Sequence, residues 1–206
     1  MMQVQSGQHT KHETTLRDER DLARLLITRC GHSLGQGDYY YRVTRIAKDL
    51  AVSPDVDLLK VYVNPWHPEE NRAIAFELKV LKVRKYRGDH SHVELGPFYQ
   101  GIGQVLTYFH HGIDRAMLVV GLHANTYEHP DAARDAEDAL KAHGMHMKAS
   151  IFRNFPYLEI VYIRNGSLER LLQNMNWDTA RFPMSEATRL QRENIFRKQF
   201  VFEKLD

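Results

Sequence analysis

The stretch at residues 73–83 constrains this chain most. Ala-Ile-Ala-Phe-Glu-Leu-Lys-Val-Leu-Lys-Val is a strand's length of largely apolar residues into which Glu77 and Lys79 are set. Side chains alternate across a strand, so Glu77 and Lys79 point to one face while Phe76, Leu78 and Val80 point to the other. A carboxylate and an ammonium therefore share a face roughly 7 Å apart along the strand. A lone Glu-x-Lys commonly makes a salt bridge on a solvated edge, so its surroundings decide the reading. The preceding strand-like run, Asp-Leu-Leu-Lys-Val-Tyr-Val at 57–63, is joined to it through an Asn-Pro-Trp-His-Pro loop. If that loop returns the chain as a neighbouring strand, Asp57 comes to lie beside Glu77.

The rest of the chain supplies a frame for this pair. Residues 1–13 are polar, without periodic apolar positions, and read as a loose tail. Thr14-Thr15 offers an N-cap to a helix whose Leu22, Ala23, Leu26 and Cys30 recur at helical spacing before Gly31. Residues 39–46 have strand composition, and a basic, Gly-containing loop over 84–96 leads to Pro97 at the start of a helix that runs to about His111 and Gly112. A buried strand at 116–122, an alanine-rich helix at 131–143 ended by Gly144, and a strand at 157–163 follow. Short helices are expected at 167–174 and 185–198. This order predicts an α/β domain with a mixed central sheet flanked by helices over 14–165, and a helical C-terminal extension over 166–206 packed on it.

Composition excludes several classes. A chain of 206 residues and 24.1 kDa can bury about 70% of its unfolded surface, so it needs no staples, and its one cysteine can make no intrachain disulfide. No run of about 18 apolar residues occurs, so a soluble, cytoplasmic protein with no membrane partner is expected. With 28 Lys+Arg against 26 Asp+Glu, the net charge of +2 is too small to coat nucleic acid by bulk electrostatics. An anionic partner must be gripped by a local patch.

Two carboxylates at the mouth of neighbouring strands suit a hard cation such as Mg²⁺ or Mn²⁺, and a lysine two residues on can hold or deprotonate a water there. Asp55, after Pro54, is the alternative to Asp57; both acids can also be read as a simple turn. Glu19 falls at the head of the apolar stripe of the first helix, so it must either escape to solvent or meet a cation. In the helix after Pro97, Phe98, Ile102, Val105, Leu106 and Phe109 form an expected packing stripe. Gln100, Gln104 and His111 lie nearly opposite with Tyr108 beside them, a row that can orient a water or a phosphate oxygen and that, taken alone, is also what a solvent face looks like. Lys82, Arg84, Lys85 and Arg87 form a basic run leaving the Glu77 strand, suited to phosphates; Arg189, Arg192, Arg197 and Lys198 near the last helix read more simply as a solvated face. Tyr86, Trp66 and Phe98 are candidates for stacking on bases. The 12 histidines, including His90-x-His92 and His143-x-x-His146, show no finger spacing and read as surface residues.

Taken together, Glu19, Asp57, Glu77-Leu78-Lys79 and Gln104-Val-Leu-Thr-Tyr108 resemble, over about residues 15–122, the PD-(D/E)XK nuclease superfamily, the restriction-endonuclease-like and Holliday-junction-resolvase-like phosphodiesterases. That family orders its motifs as a helix with a Glu, a strand opening on the metal Asp, a strand with (D/E)-x-K, and in one branch a helix with Q-x-x-x-Y. The literal Pro-Asp pair here is Pro54-Asp55, whereas the acid that opens the apolar strand is Asp57. The resemblance implies a restriction-endonuclease-like fold and a Mg²⁺- or Mn²⁺-dependent deoxyribonuclease. Asp57, Glu77 and the Leu78 carbonyl would hold one metal, Glu19 a second directly or through water, Lys79 would position the attacking water, and Gln104 would orient a ligand or phosphate oxygen. DNA is then the partner, and a two-fold dimer fits cutting both strands. A catalytically silent DNA-binding or partner-binding protein of the same fold is the main alternative, and a histidine-based zinc protein or small-molecule hydrolase the weaker one.

Overall fold

A computed structural model of the chain describes residues 16–31, 36–44, 55–85, 91–149, 152, 155–164, 167–172 and 181–205. The first helix, α1 (Glu19–Cys30), starts on Asp18, whose carboxylate accepts the amide of Asp21 at 2.9 Å. The expected cap at Thr14-Thr15 and the tail before it lie outside the described residues. Strands β1 (Asp38–Thr44), β2 (Val56–Tyr62) and β3 (Arg72–Leu81) follow as an antiparallel meander. After it come a hairpin of β4 (Val83–Lys85) and β5 (Ser91–Val93), helix α2 (Gly96–Tyr108), β6 (Arg115–Leu122), α3 (Pro130–Ala149), β7 (Leu158–Arg164), β8 (Ser167–Leu172), α4 (Glu186–Phe196) and β9 (Val201–Glu203).

Seven strands form one sheet in the order β8-β7-β6-β3-β2-β1-β9. The central trio β3, β6 and β7 is parallel and the flanking pairs are antiparallel, so the sheet is mixed, as the element order requires. The parallel strands are the most apolar: β6, Arg-Ala-Met-Leu-Val-Val-Gly-Leu, is buried throughout, because helices cover both of its faces. Period-two alternation divides β3 between two cores. Ile74, Phe76, Leu78 and Val80 pack with Leu22, Ala23, Leu25 and Leu26 of α1. Ala73, Ala75 and Leu81 pack on the other side with residues of α2, α3 and α4, among them Phe98, Val105, Leu140 and Ile195.

Three expectations are corrected. Residues 167–172 are not helical: Ser-Leu-Glu-Arg-Leu-Leu pairs antiparallel with β7 as an edge strand, and Arg170 reaches across to Glu159 at 2.7 Å. Cross-strand partners absent from the local sequence outweigh its helical spacing. The C-terminal segment is thus only partly helical, since β8 and β9 close the two edges of the central sheet. Helix α3 does not stop at Gly144 but runs on to Ala149. A Cβ at Gly144 would lie 2.6 Å from the carbonyl oxygen of Leu171, so this glycine lets the helix approach β8. The basic loop after β3 contains the hairpin β4–β5, in which Arg84 pairs with Glu94 at 2.7 Å.

The last helix is pinned rather than solvated on its inner side. Arg192 makes an ion pair with Asp114 at 3.0 Å and donates to the carbonyl of Asn71 at 2.8 Å, while Asp114 also accepts the amide of Ala73 at 2.8 Å. Lys198 pairs with Asp38 at 2.9 Å and lies over the ring of Tyr40. Neither cation forms part of a free basic face.

Candidate functional site

The β2–β3 register pairs Leu58 with Phe76, which sets Asp57 opposite Glu77 at the point where the ladder ends. Past that point the backbone of β3 is open toward β2, and the amide of Leu78 donates to Asp57 Oδ2 at 2.8 Å. In an extended chain a residue's amide and carbonyl lie on the same side, so the Leu78 carbonyl also faces Asp57. Glu77 is 1% exposed. One of its oxygens takes the ammonium of Lys79 and the other the hydroxyl of Tyr108. The Tyr108 hydroxyl also lies 3.3 Å from the carbonyl oxygen of Asp55.

Helix α2 closes this arrangement from above. Gly101 sits where a Cβ would lie 2.6 Å from Leu118 and 3.2 Å from Cγ of Lys79. A side chain there would press on the Leu118 methyl and the Lys79 stem, so the glycine lets α2 rest on the lysine without moving either. Phe98, Gly101, Val105 and Tyr108 form the buried face, and Leu106 is exposed. The packing stripe is thus rotated from the one expected, and Tyr108 belongs to the core. A mid-helix glycine was the available signal for this rotation, together with a tyrosine at seven residues' distance, two turns on.

Electrostatics mark the site as over-supplied with acid. The Asp57 carboxyl is pushed up to about 7, first by burial and then by the charge of Glu77; the Leu78 amide and Lys79 oppose this, and Glu19 adds to it. The Tyr108 hydroxyl is pushed up by burial and by Glu77, so it stays a donor at every ordinary pH. Glu19, half-buried at the first residue of α1, belongs to a helix on the opposite face of the sheet from Glu77 and is felt at Asp57 through its field.

The structure therefore brings together Asp57, Glu77, Leu78, Lys79 and Tyr108, with Asp55 present through its backbone. Gln104 is exposed one turn before Tyr108 and on the same side of α2, and Gln100 is exposed a turn further. His111 stands in the 3-10 turn after α2, half-buried, its pKa lowered by burial; among the described residues nothing ties it to the carboxylates. Lys82 is exposed, Arg84 is held by Glu94, the Lys85 side chain lies outside the described residues, and so does Arg87. Tyr86 also lies outside them, and Phe98 is buried and unavailable for stacking. Among the described residues no group of three His, Cys, Asp or Glu is placed to hold a metal ion, so a cation here would rest on two carboxylates and a backbone carbonyl. That set suits an ion that keeps several waters.

Comparison of the chain with protein-family models, with curated proteins and with solved structures finds no match. Among the described residues no helix is long and apolar enough to cross a membrane.

Proposed function

We propose that this protein is a divalent-metal-dependent nuclease of the PD-(D/E)XK type, with a restriction-endonuclease-like core, that hydrolyses DNA phosphodiester bonds with an activated water. The observation that carries the reading is the opposition of Asp57 and Glu77 across two strands, with Lys79 on the same face and a half-buried carboxyl at Asp57 pushed up to about 7. An acid raised as Asp57 is, at a strand end beside a second carboxylate, is expected where charge is to be received. Mg²⁺ or Mn²⁺, when bound, would polarise water and offset the charge that develops on the phosphate. Asp57 Oδ1, Glu77 and the Leu78 carbonyl would hold it, and Glu19, on the other face of the sheet, would act on it through its field.

The chain's own residues do the positioning. Lys79, its stem fixed under Gly101, sets an ammonium beside Glu77 where it can orient the attacking water. The Leu78 amide fixes the rotamer of Asp57 by holding one oxygen. Tyr108 holds Glu77 in place, and Gln104, exposed one turn before it, would meet a phosphate oxygen. Lys82 supplies exposed positive charge along the continuation of β3.

A second reading, a silent DNA-binding or partner-binding relative, draws on the full engagement of Glu77 by Lys79 and Tyr108. The two separate cleanly. Full-length protein is incubated with plasmid, linear and branched DNA in Mn²⁺, beside Asp57→Ala and Lys79→Ala. Cleavage lost in both variants supports the nuclease. Absence of cleavage, or equal cleavage by the variants, rejects it, and salt-sensitive DNA binding without a calorimetric Mn²⁺ site establishes the silent reading.

A further inference from the structure

Trp66 is 87% exposed in the turn between β2 and β3. That turn is tied down. Asn64 Oδ1 accepts the amides of Trp66 at 3.0 Å and His67 at 3.2 Å, the Asn64 amide donates to Asn71 at 2.7 Å, and Asn64 Nδ2 donates to Glu70 at 2.7 Å. The indole is thus presented on a backbone already ordered, which lowers the entropy cost of burying it against something. Val63 at the start of the same connection is also exposed, and so are Glu69, 3.1 Å from His67 Nδ1, and Glu70. An apolar point with an acidic collar repels a phosphate backbone or an anionic lipid surface. Its complement is an apolar recess with a basic rim.

The chain carries such a recess. A groove of about 620 Å³ lies between the second half of α1, β1 and residues 201–205. Tyr39, Tyr41 and Phe202 line it, with Lys204 and Arg24 among its polar residues, Arg24 lying 3.6 Å from Asp21 on its own helix. Glu203 also lines it but is engaged by Arg20 at 3.3 Å and Arg42 at 3.6 Å. We propose that this groove receives Trp66 from a second copy of the chain, with Glu69 and Glu70 of the incoming turn facing Arg24 and Lys204. Tryptophans seated in pockets dominate the energetics of many interfaces. Point and groove are different patches, so a two-fold pair carries the contact twice. The inference stands apart from the nuclease reading.

Sedimentation of the full-length protein over a range of concentrations tests it, with Trp177→Phe as the background in which Trp66 is the one tryptophan. Mass rises to that of an oligomer, and Trp66 emission shifts to the blue in step. Trp66→Ala, and Thr28→Trp in the groove wall, each weaken association at least tenfold. The double changes Glu69→Lys with Glu70→Lys, and Arg24→Glu with Lys204→Glu, each abolish it, and mixing the two proteins restores it; an unfolded variant would not be rescued in this way. A monomer at every concentration with water-exposed Trp66 emission overturns the proposal. So do association indifferent to Trp66→Ala, and a blue shift that appears only on adding DNA.

Discussion

Asp57 and Tyr108 bear opposite consequences for stability. The Asp57 carboxyl stands near 7 in the folded chain, raised by burial and Glu77, and returns to about 4 when unfolded. Between those values the folded state holds a proton that the unfolded chain has released, so this group's contribution falls as pH rises through the window and is least favourable above 7. Asp57→Asn is neutral throughout. It stabilises the folded chain at pH 8 by up to about 4 kcal/mol, read as a higher thermal midpoint, and the gain fades as pH approaches 4. Calorimetry at the two pH values measures this; an equal gain at both would contradict it. Tyr108→Phe works the other way, because it strips a donor from a carboxylate that is almost wholly buried. It costs about 1–3 kcal/mol, and saturating Mn²⁺ reduces that loss by engaging the freed oxygen, as thermal unfolding with and without the ion will show. The residue types of this site were legible in the sequence: strand alternation put Glu77 and Lys79 on one face, and the returning loop put Asp57 beside them. Tyr108 was misplaced onto a solvent row, because the phase of a helical stripe is ambiguous when a glycine can occupy the buried centre.

At the scale of elements, α2 is the part whose seating decides whether Lys79 is held. Two of its glycines make a matched pair. Gly101 faces Leu118 and Lys79 at distances that no Cβ tolerates without movement, whereas Gly103 is exposed with nothing within 4 Å of an added Cβ. Gly101→Ala destabilises the protein by about 1–3 kcal/mol and, on the proposed nuclease reading, lowers cleavage by displacing the lysine stem. Gly103→Ala stabilises by up to about 1 kcal/mol and leaves cleavage unchanged, since alanine is the better helix former. Denaturant titration and a DNA cleavage assay on the two variants read both halves of this prediction; similar outcomes at the two positions would remove the special role of Gly101. Element boundaries failed where glycine was taken as a stop. Gly144 serves close packing on β8, and nothing within α3 itself could have revealed that partner.

Across the whole molecule, α4 is anchored through one buried pair. Arg192 joins Asp114 at the foot of β6 and the Asn71 carbonyl before β3, so residues far apart in the chain close the side of the sheet that carries α2 and α3. Arg192→Ala leaves the buried Asp114 with the Ala73 amide but without its paired cation and costs about 3–5 kcal/mol of stability. On the proposed nuclease reading, the salt dependence of DNA binding stays unchanged in this variant, where a phosphate-gripping role would lower its slope by about 1. The sequence alone determined the α/β class, the alternating faces of β3 and the acids and lysine at its mouth, because these follow from local periodicity and from short connections between adjacent strands. Tertiary structure alone decided that residues 167–172 complete an edge of the sheet, that α1 and α2 lie on opposite faces of β3, that Tyr108 is tied to Glu77 and that Arg192 is a pin. Each of these depends on a partner supplied by a distant part of the chain, and no local pattern specifies which distant group will be there to meet it.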